Sequence, residues 1–285
     1  MAKDLLLITP PFTQLNTPYP ATAYLKGFLN TKGISAFQMD LGIEVILKIF
    51  SKDGLRNIFD YAQDKNSIKS DNCHRINTLH EDYVKTIDSV VSFLQGHNAT
   101  FARQICTPNF LPQAARFDQL DDLEWAFGSM GHQDRAKHLA TLYLEDLSDF
   151  IVECVDENFG FSRYAERLGR SANSFDELYQ HLQSDITYID QLTLDILAYR
   201  IDTVKPKLAC FSVPFPGNLY SAFRGAQFIK QNFPKIKVSM GGGFPNTELR
   251  SLTDTRGFEL DDGELPLEQL TAPAYCPNPM IAKPF

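Results

Sequence analysis

The sequence predicts an α/β protein built on an open parallel sheet, with a large helical region inserted between its second and third strands. Three observations predict it: a strand–helix–strand pattern at residues 4–40, a second at residues 207–240, and helical periodicity over the residues between them. Right-handed crossovers place both units in one sheet.

Asp4-Leu-Leu-Leu-Ile8 is a short apolar run that stops at Thr9-Pro-Pro-Phe12, because proline has no amide hydrogen with which to continue a ladder. A loop over residues 13–20 leads into residues 21–30, where Leu25, Phe28 and Leu29 recur at helical spacing and Gly33 fits a C-terminal stop. Residues 34–40 read as the second strand. From about Gly42 to Pro206 the signals are helical. Thr78-Leu-His-Glu81 has the form of a capping box ahead of the apolar face Leu79, Tyr83, Val84, Ile87, Val90, Val91 and Leu94. Residues 139–155 continue the period in a long helix, Ser174-Phe-Asp-Glu177 forms a second capping box, and residues 189–201 give a further helix ending before Pro206. The third strand, from Lys207, runs into Ser212-Val-Pro-Phe-Pro-Gly-Asn218. The fourth, Lys235-Ile-Lys-Val-Ser-Met240, runs into Gly241-Gly-Gly-Phe-Pro-Asn246. Residues 256–260 read as a short fifth strand, residues 261–270 as a turn opening a short helix, and residues 271–285 as a proline-rich extended tail.

Composition narrows the class. Of 285 residues, 44% are apolar and 22% charged, the balance of a globular protein with a real core. A net charge of -8 argues against nucleic acid or an anionic membrane as partner, since both need basic patches. The chain shows no secretory h-region and no long apolar run, so a cytoplasmic location is expected. The cysteines, Cys73, Cys106, Cys154, Cys210 and Cys276, are scattered as isolated thiols, with no zinc knuckle and no CxxxCxxC loop for an iron–sulfur cluster. All six histidines, His74 to His181, fall in the helical region, and none has a tight metal spacing. Asp121-Asp122 and Asp261-Asp262 read as helix-start or turn residues, and Trp125 as packing.

Function concentrates at the strand ends. In an open parallel sheet, ligands bind in the crevice beyond the carboxyl ends of the strands. Both unusual loops, at Ser212 and at Gly241, sit at such ends. Three consecutive glycines allow close backbone approach, although tight turns with no ligand account for the same residues. The pattern is neither a dinucleotide fingerprint nor a Walker loop.

These residues resemble cobalamin-binding domains. Methionine-synthase-type domains carry Ser-x-Leu after one strand and Gly-Gly after the next; here Ser212-Val-Pro214 is followed by residues 215–240 and then Gly241-Gly242. The layout resembles the N-terminal cobalamin (vitamin B12)-binding domain of class B radical S-adenosylmethionine proteins, through Ile8-Thr-Pro-Pro-Phe12, Pro18-Tyr-Pro-Ala-Thr22 and Gly263-Glu264. The resemblance covers residues 1–41 and 207–270 and implies a flavodoxin-like (Rossmann-like) sheet of about five strands, with residues 42–206 as helical insert. It implies that Ser212, Pro214, Gly217, Asn218 and the backbone of Gly241, Gly242 and Gly243 receive the corrinoid's nucleotide tail. The loop carrying Pro11, Phe12, Leu15 and Tyr19 would face the ring, and Asp40 and Glu264 line the crevice.

Two departures shape the expectation. The loop over residues 10–20 has no histidine to replace the corrinoid's lower ligand, so binding is expected to be His-off. No CxxxCxxC exists, so this chain alone is expected not to perform radical chemistry; it reads as an excised binding domain, or as a stand-alone relative without the catalytic half. Expected partners are the corrinoid and a radical catalytic domain in a full-length protein. The alternatives are a scaffold that binds no cofactor and uses the helical insert for partner contacts, and an enzyme acting on a small phosphorylated or nucleotide ligand at the same edge.

Overall fold

The computed structural model describes residues 4–13, 15, 19–119, 131–161, 175–249 and 256. The expected fifth strand, the Ser174 cap, Asp121-Asp122, Trp125, Asp261-Asp262 and Glu264 lie outside them. Among the described residues are four strands, β1 (Leu5–Thr9), β2 (Ala36–Asp40), β3 (Leu208–Ser212) and β4 (Lys237–Gly241), in one all-parallel sheet of order β2-β1-β3-β4. The protein is α/β, as its sequence predicts. It divides into two compact units, residues 1–45 with 161–285, and residues 46–160.

In the sheet unit, helix α1 (Ala21–Thr31) crosses from β1 to β2. Gly33 ends it as expected: with φ of 73° it turns the chain so that its own N–H and that of Ile34 reach the carbonyls of Asn30 and Leu29. Thr22 is the only fully buried residue of α1. Helix α2 (Leu41–Ile49) follows β2 directly, and only its residues up to Val45 belong to this unit. The opposite sheet face is packed tightly. Leu6, Ile8, Ala209 and Phe211 are all at most 1% exposed. There, a Cβ on Gly225 would lie 2.9 Å from the Phe211 ring and 3.4 Å from a Leu197 methyl, so glycine lets a helix sit directly on β3.

The second unit is helical: α3 (Lys52–Asp64), α4 (Asp71–Thr78), α5 (His80–Leu94), α6 (Ala102–Ile105) and α7 (His132–Cys154). Its core holds Leu55, Phe59, Tyr83, Ile87, Tyr143 and Phe150, each at most 1% exposed. Ser51 and Ser70 cap α3 and α4, accepting from the N–H groups of Gly54 and Cys73. The capping box expected at Thr78 does not form. Thr78 is the last residue of α4, its hydroxyl donates back to the His74 carbonyl, and Leu79 alone separates it from α5. Phe93, rather than the 38% exposed Leu94, completes the buried face of α5. Asp146 is wholly buried and accepts from Tyr83 Oη (3.2 Å) and from the N–H groups of Ala114 (2.8 Å) and Arg116 (3.0 Å). Burial raises its carboxyl above the ordinary range, and these donors oppose the rise.

Three helices complete the sheet unit: α8 (Asp176–Gln183), α9 (Tyr188–Val204) and α10 (Leu219–Asn232). They are tied by Arg224, 5% exposed, whose guanidinium donates to the His181 (2.8 Å) and Leu182 (2.9 Å) carbonyls at the end of α8 and lies 3.2 Å from the Asp190 carboxylate of α9. Tyr220 Oη donates to the same carboxylate at 2.6 Å. Lys205, left-handed at φ of 51°, ends α9 ahead of Pro206. A short helix α11 (Gly243–Thr247) follows β4. Among the described residues no helix is long and apolar enough to cross a membrane.

Candidate functional site at the carboxyl edge of the sheet

The order β2-β1-β3-β4 has a topological consequence. From β1 the chain moves outward to β2 on one side, and from β3 it moves outward to β4 on the other. The two crossovers diverge, so the loops leaving β1 and β3 part and open a crevice between them.

The last rung of the sheet faces this edge. Thr9 pairs with Asp40 and Ser212 with Gly241, while Ile8 pairs with Phe211 one step below. Strand alternation therefore sets Asp40, Thr9, Ser212 and Gly241 side by side on one face. Three of these are sequence candidates brought together by the register. Thr9, 1% exposed and 3.4 Å from the Thr22 hydroxyl, was not among the candidates; only the register shows it. Ser212 is 7% exposed, and its hydroxyl has no hydrogen bond among the described residues. A Cβ on Gly241 would meet nothing within 4 Å.

The other two glycines have a different explanation. Gly242 adopts φ of 120°, and a Cβ there would lie 2.5 Å from the carbonyl oxygen of Val213 and 2.8 Å from its nitrogen. The Val213 N–H donates to the Gly241 carbonyl at 2.7 Å, and the Phe244 N–H donates to the Val213 carbonyl at 3.2 Å. A backbone seam thus joins the β3 and β4 loops, and Gly242 is glycine because the seam leaves no room for a side chain. A Cβ on Gly243 would stand 3.4 Å from the Pro214 carbonyl oxygen.

Asn218 ties the β1 and β3 loops together. It is fully buried, next to the buried Gly217, in a short turn at Pro216–Asn218 that leads into α10. Its side chain does not cap α10. Instead Nδ2 donates to the Pro10 carbonyl at 2.7 Å, bridging the loops of β1 and β3, and Oδ1 is buried with no partner among the described residues.

The remaining candidates differ in exposure. Pro11 and Phe12 are buried, Phe12 at 1% exposure, so that ring packs inside rather than offering a face to a ligand. Asp40 Oδ1 accepts the Ile43 N–H at 3.0 Å, starting α2; burial raises its carboxyl, the Ile43 and Gly42 amides oppose this, and Glu44 adds to it. Tyr19 lies edge-on to Phe215, ring centres 6.2 Å apart, and desolvation raises its phenol. Phe215 is 56% exposed and Leu15 40%. Phe215 was missed as a candidate, although an aromatic between two prolines in a strand-end loop is a readable signal.

The loops of this edge carry no cationic side chain. The loops at residues 9–20, 212–218 and 241–247 contain no lysine, arginine or histidine. Among the described residues, no group of three or more His, Cys, Asp or Glu side chains is placed to hold a metal ion. No family model matches this chain, and no curated protein or solved structure matches it.

Proposed function

We propose that this chain is a cobalamin-binding module of the radical S-adenosylmethionine type, with the corrinoid held His-off and its nucleotide tail in the crevice between the β1 and β3 loops. The observation that carries the reading is the last rung: a nearly buried hydroxyl at Ser212, without a hydrogen bond among the described residues, beside open ground at Gly241, at the topological switch point. Neutral hydroxyl, amide and backbone groups suit a ligand rich in carboxamides and hydroxyls with one phosphodiester. They suit a polyphosphate poorly, because no cationic side chain stands in these loops. The exposed Leu15 and Phe215, with the half-buried Tyr19, offer an apolar rim for the ring. The strand order supports a flavodoxin-like sheet, with the helical region as an insertion between strands two and three. When bound, the corrinoid would supply the reactive cobalt; Ser212, Asn218 and Gly241 would hold it in place, and a radical catalytic domain would be its partner.

Purified protein mixed with hydroxocobalamin should retain pigment through gel filtration and show a base-off spectrum. Gly241→Leu, which fills the open ground, should abolish retention. No spectral change and no retained pigment in the wild type would sink the proposal. That outcome would favour a scaffold that binds no cofactor, a reading supported by the Val213 seam and the Asn218–Pro10 bridge, which satisfy the loops without a ligand.

A further inference from the structure

Two cysteines that read as isolated thiols in the sequence meet inside the helical unit. Cys73 lies in the first turn of α4, and Cys154 is the last residue of α7. Both are free thiols, 0% and 5% exposed, and their sulfurs are in hydrogen-bonding contact. The backbone on each side is held. Ser70 Oγ accepts the Cys73 N–H at 3.2 Å, and Ser67 Oγ donates to the Cys154 carbonyl at 2.6 Å. The Cys73 thiol also donates to Oε2 of the exposed Glu153 at 3.3 Å. Cysteines serving only as small apolar filling need neither a sulfur–sulfur contact nor a carboxylate.

We infer that Cys73 and Cys154 form a redox latch, in which a hydroperoxide converts the thiol pair to a disulfide that ties the start of α4 to the end of α7. The inference is independent of the cofactor reading. Burial raises both thiols, Cys73 to about 12, so the resting pair is protonated and the latch closes slowly. At Cys154 the hydrogen bond with Cys73 opposes the rise, and Cys154 keeps the residual exposure, so its sulfur reacts first. The Cys154 thiolate attacks one peroxide oxygen and the O–O bond breaks, leaving a sulfenic acid; the released hydroxide departs as water with the thiol proton. Cys73 then attacks the sulfenic sulfur, the S–S bond forms, the S–O bond breaks, and a second water leaves with the Cys73 proton. Two thiols are oxidised and one peroxide is reduced to two waters.

The test is non-reducing peptide mapping of the full chain after hydrogen peroxide treatment and alkylation of the remaining thiols. A peptide joining Cys73 to Cys154 should be the main cross-link, and the melt of the oxidised protein should rise by at least about 5 °C, since the disulfide closes a long loop. Dithiothreitol should reverse both, and Cys73→Ala or Cys154→Ala should abolish both. If either variant fails to fold, the wild-type map and its reversal carry the test. Cys73 and Cys154 left alkylatable while the more exposed Cys106 is oxidised would overturn the inference. So would a Cys154 oxidised to sulfinic acid with Cys73 still free, or a cross-link that leaves the melt unchanged.

Discussion

Gly241 and Gly242 are adjacent in sequence, yet the space around them differs completely: open at the first, and filled by the Val213 backbone at the second. Gly242→Ala should therefore cost about 2–4 kcal/mol in urea unfolding, combining a strained positive φ with a backbone clash. Gly241→Ala should stay within about 0.5 kcal/mol. Equal costs at the two positions would refute the seam. Asp146 gives a pH-dependent counterpart. Burial raises its folded-state carboxyl above the unfolded value, so its contribution to stability is fully present below the ordinary carboxyl range and is lost as pH rises through the raised value. The stability of wild type relative to Asp146→Asn should thus be greater near pH 4 than near pH 7 in denaturant titrations; the opposite slope would contradict the burial argument. At this scale the sequence was partly legible. A triple glycine announces special backbone, but which glycine meets a neighbouring loop depends on strand pairing. Asn218 bonds to a carbonyl 208 positions away, beyond any local pattern.

Helix starts show how a correct rule lands on the wrong residue. Thr78-x-x-Glu81 has both halves of a capping box, but Thr78 lies inside α4, where its hydroxyl serves its own helix. Ser51 and Ser70 do cap, yet Gly54 and Cys73 stand where the reciprocal Glu would be, so the pattern passes over them. Ser51→Ala should cost about 1 kcal/mol and Thr78→Ala less than about 0.5 kcal/mol by thermal or chemical unfolding. Equal losses would place a cap at Thr78 after all. The Arg224 cluster has larger stakes. It joins α8, α9 and α10 through a nearly buried ion pair, and Arg224→Ala removes the cation beside the Asp190 carboxylate. A loss of about 3–5 kcal/mol is expected, reduced when Asp190→Asn is added, because the buried negative charge that Arg224 balances is then gone. Nothing local marks Arg224, since its partners come from three separate helices.

Across the whole chain, the alternation of strand and helix was legible because apolar runs ending at Pro10 and Gly241 reveal both the strands and their limits. The division into two units was less so, since helical periodicity does not say which core a helix joins: α8 and α9 fall in the unit that holds the sheet, although their patterns resemble those of α3–α7. The second unit is one contiguous stretch with its own core and caps. A fragment of residues 46–160 should give a helical circular dichroism spectrum and a cooperative melt; a non-cooperative melt would mean that its core is incomplete alone. The two sides of the sheet are also unequally held. Helix α10 buries nine residues, whereas α1 buries only Thr22. In hydrogen-exchange terms, the amides of α1 and the edge strand β2 should open at low free energy, while those of β3 and α10 report global unfolding. The crevice then has one yielding wall and one fixed wall, so a ligand seated between the β1 and β3 loops would slow exchange mainly along α1 and β2. Protection in that crossover becomes a reporter of occupancy that needs no coloured ligand.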